Sequence, residues 1–228
     1  MKIGGFVKNS LSDYPGKVAA VVFTQGCNLR CPYCHNPELL AENVPGTVLW
    51  EDVWNYLQSR HRHLDGVVIS GGEPLLQPDI EDVMLAIRSL GLSIKLDTNG
   101  TFPDKLEMLI QDNLIDYVAM DIKASASLFQ KTVRKDIPYH YIEKSIELLK
   151  QAKIPYEFRS TLVDGLHDLT EVEAMARHIA GAPLYYLQRV SGFQTLDPDI
   201  LSKASYSDQA MQQFKSVAQN HVGQCQLR

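Results

Sequence analysis

Short apolar runs alternate with amphipathic stretches along most of this 228-residue chain, and polar or glycine-containing segments close each run. The β-branched run at residues 18–23 predicts a buried strand, and residues 66–70, 93–97, 116–123, 156–163 and 184–190 predict five more. Apolar positions at helical spacing lie between them: Val53, Trp54 and Leu57 within 47–61, Ile80, Val83, Met84 and Ile87 within 79–90, and Ile142, Ile146 and Leu149 within 139–153. Gly91 stops the second of these helices, and Pro103 opens another that ends near Asn113. A Thr170-x-x-Glu173 capping box predicts a helix after the fifth strand, and a last helix covers 207–220. The opening IGGFVKNSLSDYPG predicts an edge strand and a turn at Pro15-Gly16, with Asp13 near the loop after the first buried strand. The closing CQLR offers a short terminal strand. Six strand–helix units predict parallel strands, because crossover helices are what parallel pairing requires. The expected fold class is therefore α/β, a partial (β/α)6 TIM-like barrel open on one side. No linker or change of composition divides the chain, so one domain over residues 1–228 is expected.

Hydrophobic content of 45% and charged content of 21% are ordinary for a soluble globular protein. No apolar run approaches membrane-spanning length, and the start MKIGGFVKNS lacks the hydrophobic segment of a secretory signal, so a cytoplasmic location is expected. A net charge of -5 and a pI near 5.8 argue against bulk binding of nucleic acid or an anionic membrane and leave a protein partner open.

Cysteine placement changes the picture most. Cys27, Cys31 and Cys34, three of the four cysteines, fall within eight residues directly after the first buried strand. That is no disulfide framework; closely spaced soft thiolates point to a soft metal or sulfur cluster in a reducing compartment. Three thiolates cannot complete a four-iron cluster, so one iron would lack a protein ligand and stay available for chemistry. Other readings remain open. Cys31-Pro32-Tyr33-Cys34 alone is a glutaredoxin-like dithiol motif, His35 or Cys225 could complete a structural zinc site, and buried cysteines can be inert.

Further polar motifs close the next strands, at the ends where parallel barrels build active sites. Gly71-Gly72-Glu73-Pro74 lets the backbone approach a ligand and offer N–H and C=O groups, or is simply a tight turn. Asp97-Thr98-Asn99-Gly100 and Asp121-Ile122-Lys123 put two carboxylates and an ammonium at neighbouring tips. They suit a zwitterionic ligand with ribose hydroxyls, or make a structural salt bridge. Arg159 on the fifth strand is a further candidate contact.

The spacing C-x-x-x-C-x-x-C, with Tyr33 before the last cysteine, resembles the signature of radical S-adenosylmethionine enzymes. The string GCNLRCPYCHNPE at 26–38 resembles more narrowly the activating enzymes of glycyl-radical enzymes. With DYPGK before the strand and FTQGCN leading in, the chain is most similar to anaerobic ribonucleoside-triphosphate reductase activating proteins. The likeness is densest over 10–40 and 66–124. It implies a radical S-adenosylmethionine core with a 4Fe-4S cluster on Cys27, Cys31 and Cys34 and with S-adenosylmethionine at the unligated iron, Lys123 joining the cysteines in catalysis. Implied cofactor contacts are Tyr33, Cys34, His35, Gly71, Gly72, Glu73, Asp97, Asp121, Ile122, Lys123 and Arg159. Tyr33 and His35 would flank the adenine. Asp97, Thr98 and Asp121 would hold a monovalent cation, and Asp13 would help hold the partner's glycine loop.

The implied partners are a glycyl-radical enzyme, in this case the anaerobic reductase, and a flavodoxin- or ferredoxin-type electron donor. Pyruvate formate-lyase activators carry a cofactor-binding His near the sixth strand, where this chain reads Tyr185-Tyr186-Leu187-Gln188-Arg189; Gln188 is the candidate replacement. GGEP and TNGT-like motifs are shared with small-molecule radical enzymes such as 7-carboxy-7-deazaguanine synthase, the alternative within this chemistry.

Overall fold

The computed structural model describes residues 1–190, 194–202 and 205–228. The chain forms two compact units that exchange segments along the sequence: Met1–Asn28, Glu38–Thr98 and Asp104–Val118 in the first, Leu29–Pro37, Asn99–Pro103 and Ala119–Arg228 in the second.

In the first unit the strand order is the chain order: β1 (Ile3–Ser10), β2 (Ala19–Thr24), β3 (Gly66–Gly71) and β4 (Ser93–Thr98). The edge strand β1 runs antiparallel to β2, and β2, β3 and β4 are parallel, with Val21 opposite Val68 and Val68 opposite Lys95. Ala19, Ala20, Val21 and Val22 are all buried, as expected of a strand covered on both faces. Helices α1 (Trp50–Arg60), α2 (Ile80–Ser89) and α3 (Pro103–Gln111) make the crossovers, and α2 buries the Ile80, Val83, Met84 and Ile87 stripe expected from the sequence.

In the second unit β5 (Tyr117–Asp121, from Ala119 on), β6 (Tyr156–Leu162), β7 (Leu184–Arg189) and β8 (Gln224–Leu227) again follow chain order. β6, β7 and β8 are parallel, with Phe158 opposite Tyr185 and Tyr185 opposite Cys225. The connecting helices are α4 (Phe129–Val133), α5 (His140–Gln151), α6 (Leu169–His178), α7 (Asp199–Ser202) and α8 (Asp208–Gln219). No described helix is long and apolar enough to cross a membrane.

Three expectations need correction. The helix expected from residue 47 begins at Trp50, because Thr47 and Val48 pair instead with β1: Val48 N–H donates to Ile3 O (3.1 Å) and the Thr47 hydroxyl to Gly4 O (2.8 Å). The cap of α6 is Asp168, whose carboxylate accepts from Glu171 N–H (2.8 Å); Thr170 is already helical, so the cap falls two residues earlier than expected. Asp13 is not near Cys27, the loop cysteine of its own unit. An antiparallel β1–β2 hairpin puts its turn at the start of β2, whereas Cys27 follows the end of that six-residue strand, about 20 Å away along it.

Candidate active site

In the first unit, the chain leaving β2 is braced by its own backbone and two buried glutamines. Gly26 N–H donates to Leu39 O (2.8 Å) and Cys27 N–H to Leu40 O (3.3 Å). The Gln25 amide donates to Glu38 O and Ala41 O (2.9 and 3.0 Å), and the Gln77 amide to Gln25 O (2.8 Å). The β3 tip locks onto this segment: Gly72 N–H donates to Thr24 O (3.0 Å) and Glu73 N–H to Gly26 O (2.8 Å). The N–H groups of Gly72 and Glu73 expected to meet a ligand are thus spent on the strand that carries Cys27. That explains the two glycines: a Cβ on Gly71 would stand 2.2 Å from Thr24 N, one on Gly72 2.0 Å from Gly26 O, and Gly71 has φ +112°. Glu73 is fully buried and its Oε1 accepts from Leu75 N–H (3.0 Å) and the Thr98 hydroxyl (2.8 Å), fastening β3 to the tip of β4. Asp97 accepts from the Ser70 hydroxyl (3.2 Å) and from the buried Lys95 ammonium.

The second unit gathers the remaining candidates more tightly. Cys31 and Cys34 bracket a turn in which Cys34 N–H donates to Cys31 O (3.1 Å). This turn is fixed by Arg30 N–H to Val133 O (2.9 Å), Leu196 N–H to Cys34 O (3.0 Å) and Asp197 N–H to Pro32 O (2.9 Å). Lys123 Nζ donates to Asp121 Oδ2 (3.0 Å) and lies 6.0 Å from the centre of the Tyr33 ring. Arg159 Nε stands 3.3 Å from Asp121 Oδ1. The salt bridge open as an alternative from the sequence is therefore present, and it lies beside a cysteine and an aromatic ring. Ile122 is held by its backbone, N–H to Arg159 O (2.7 Å) and O from the Ser160 hydroxyl (2.6 Å). Asn99 Oδ1 accepts from Thr101 N–H and hydroxyl (3.0 and 2.6 Å), folding the loop after β4. A cleft of about 520 Å³ is lined by Tyr33, His35, Thr161, Gln188, Arg189 and Arg228. Gln188 donates to the Thr161 hydroxyl (2.8 Å) on its wall, which puts the proposed substitute for the missing His beside Tyr33 and His35.

Charge in this unit follows from burial and from Lys123. Burial pushes the Cys31 thiol up to about 11, against the Lys123 charge, and holds the Tyr33 hydroxyl well above its usual range. Burial also opposes the Lys123 charge, but Asp121, Tyr33 and Cys31 outweigh it, and the ammonium is held more firmly than in water.

Sequence reasoning missed His167. It is fully buried, its Nε2 meets Lys123 O at 2.9 Å, its Nδ1 accepts from Val163 N–H (3.1 Å), and its ring meets Tyr33 edge-on at 6.0 Å. An Nε2–H tautomer satisfies both bonds, so His167 orients the residue that carries the ammonium. Its burial, with the Lys123 charge, outweighs those hydrogen bonds and Glu171 and lowers its pKa below 6.5. The unfolded chain then takes up a proton that the folded chain refuses. The His167 contribution is complete above the unfolded pKa and is lost as pH falls through it toward the folded value. Urea midpoints are expected to fall between about pH 7.5 and 5.5, and to fall less in His167→Gln; equal falls would contradict this assignment.

The Radical SAM superfamily matches residues 21–179, a span that contains the three loop cysteines, the β3 tip and the Asp121–Lys123 pair. The chain belongs to this superfamily. MJ1227 of Methanocaldococcus jannaschii, whose name gives it provisionally as a glycyl-radical enzyme activating enzyme, is 32% identical over 232 residues, covering 99% of this chain and 95% of its own. The pyruvate formate-lyase-activating enzyme of Clostridium pasteurianum is 35% identical over 118 residues, 50% of this chain and 48% of that enzyme. The one from Staphylococcus aureus (strain USA300) is 32% identical over 170 residues, 68% and 66%. The chain thus spans between about half and two thirds of these two enzymes and nearly all of MJ1227, and it is a radical SAM enzyme of the glycyl-radical activating kind. A domain of pyruvate-formate lyase-activating enzyme from Bacteroides vulgatus superposes with TM-score 0.55 at 20% identity, over 72% of this chain and 98% of that domain. Streptococcus suis SuiB bound to S-adenosylmethionine superposes with 0.68 at 13%, over 90% and 48%. These neighbours share the α/β fold with parallel strands, consistent with the partial barrel of radical SAM enzymes.

This superfamily uses a 4Fe-4S cluster and S-adenosylmethionine, and the donor chemistry here fits both. All four cysteines are thiols outside any disulfide. Cys27 comes from the first unit and Cys31 and Cys34 from the second, and among the described residues no three His, Cys, Asp or Glu side chains already form a metal site. Cys225 is buried in β8, its thiol pushed up to about 11 by burial.

Proposed function

We propose that this radical SAM enzyme generates the glycyl radical of an anaerobic ribonucleoside-triphosphate reductase, its units serving as one domain in the cytoplasm and drawing electrons from a flavodoxin or ferredoxin. The observation that carries the reading is the second-unit group of Cys31, Cys34, Tyr33, Asp121, Lys123 and Arg159, with Tyr33 shared by the lining of the cleft. Cys27, Cys31 and Cys34 are the cluster ligands. When bound, the reduced cluster supplies the electron that splits S-adenosylmethionine into methionine and a 5′-deoxyadenosyl radical able to take the α-hydrogen of a partner glycine.

The protein's own residues bind and orient. Lys123 offers an ammonium to the cofactor's carboxylate, and Asp121 and Arg159 hold that ammonium and the neighbouring backbone in place. Tyr33 and His35 form the adenine side of the cleft, with Gln188 in the same lining as a polar contact. In the first unit, the Gly71-Gly72-Glu73 tip fixes the segment carrying Cys27, and Asp97 serves the ribose side.

Lys123→Met is expected to weaken S-adenosylmethionine binding by about 10- to 100-fold, the worth of one charge-assisted hydrogen bond. Titration calorimetry on the reconstituted protein would show it, and unchanged affinity would remove Lys123 from the site. The proposal itself is tested by anaerobic reconstitution with iron and sulfide, reduction, and electron paramagnetic resonance with S-adenosylmethionine and purified glycyl-radical enzymes. A glycyl radical on the reductase with 5′-deoxyadenosine formed is expected. A radical formed instead on pyruvate formate-lyase, or turnover of a small molecule alone, would refute it.

A further inference from the structure

Family likeness allows a monovalent cation at Asp97, Thr98 and Asp121, yet each carboxylate already meets a cationic side chain within its own unit. Asp121 faces Lys123 and Arg159. Asp97 faces Lys95, a residue 1% exposed and two positions earlier on β4. The period of a strand puts residues i and i+2 on one face, so the ammonium is delivered to Asp97 Oδ1 by the strand itself. Its surroundings leave it little choice. Lys95 stands opposite Val68 in the ladder and 6.0 Å from the Tyr117 ring, with Tyr14, Ala19 and Val21 completing the apolar cluster around those two. A lysine buried among apolar groups holds its charge only with a carboxylate partner. The other Asp97 oxygen accepts from Ser70, and the Thr98 hydroxyl donates to Glu73.

From this arrangement we infer that Lys95 is the tethered counter-cation of Asp97, so that the tip of β4 takes no monovalent metal ion. An ammonium and a potassium ion carry the same charge and seek the same oxygens. A second cation at Asp97 would face a like charge at contact distance in a poorly solvated place. The inference rests on the proposed cofactor role of Asp97 for its meaning in catalysis, but the exclusion of the ion is a property of the folded chain alone.

Thermal melts of the full-length protein without its cluster separate the two. Potassium, sodium and choline chloride at equal ionic strength are expected to give the parent the same melting temperature within about 1 °C. In Lys95→Met the carboxylate loses the ammonium supplied by its own strand, and potassium is expected to raise the melting temperature by about 3 °C or more over choline. The double variant Lys95→Met/Asp97→Asn removes both charges and is expected to lose that response. A potassium-specific rise in the parent would overturn the inference, as would its absence in a folded Lys95→Met. Should that variant fail to fold, the parent's response decides. Failure of reconstituted parent protein to cleave S-adenosylmethionine would count against the proposed function and leave the melts to judge Lys95 independently.

Discussion

A Cys31→Ala chain is expected to fold, to retain less than about a tenth of the parent's iron after reconstitution, and to form 5′-deoxyadenosine at least roughly 10³-fold more slowly. Folding survives because the turn depends on the Cys31 carbonyl and on backbone bonds from Val133, Leu196 and Asp197 partners, none of which needs the thiol. Replacing a buried sulfur by hydrogen costs about 1 kcal/mol, and removes no charge, because burial keeps the thiol protonated at neutral pH. The chemistry does not survive, since two remaining thiolates leave a second iron without a protein ligand. Iron analysis, circular dichroism and product assay check the three parts separately. Cys225→Ala, inside β8, is the control expected to keep both iron and cleavage. Parent-like cleavage by Cys31→Ala would sink the ligand assignment.

The second large effect is expected from Gly72→Ala, which adds one methyl group and alters none of the three loop cysteines. That methyl would lie 2.0 Å from Gly26 O, 2.6 Å from Gly26 C and 3.0 Å from Leu39 O, all main-chain atoms that cannot swing aside. To make room, the β3 tip must leave the Cys27 segment, and both bonds joining them, Gly72 to Thr24 and Glu73 to Gly26, must lengthen or break. Overpacking and two lost hydrogen bonds together cost about 3 kcal/mol or more, so the melting temperature should fall by about 6–12 °C. Cluster content should fall as well, because Cys27 loses its support. A melting temperature within about 2 °C of the parent would show that the two tips are not clamped as described.

Much of this arrangement is legible in the amino-acid sequence alone. The apolar runs mark the strands because parallel strands buried on both faces read as continuous hydrophobic stretches, and Ala19–Val22 is such a stretch. The Cys31–Cys34 turn and the Asp121–Lys123 tip are legible because their chemistry is packed into a few consecutive residues. What stays hidden is what depends on partners distant in sequence. His167 looks like any loop histidine until its ring meets the Lys123 carbonyl, and Lys95 like a polar strand position until it is seen buried against Asp97. The glycines of the β3 tip suggest openings for a ligand, whereas their N–H partners are main-chain carbonyls of the β2 exit. Short α4 escapes because five residues carry too little periodicity to register.

The interleaving of the two units has a consequence during synthesis of the protein. The segment Leu29–Pro37 leaves the ribosome early, but the groups that hold it, Val133 first and Leu196 and Asp197 last, follow about 100 and 160 residues later. At about 5–20 residues per second, Cys31 and Cys34 spend roughly 8–30 s on an unfinished chain. Through that interval they are ordinary accessible thiols, open to stray zinc or to oxidants, and the fidelity with which this enzyme acquires its metal is at stake before the enzyme exists.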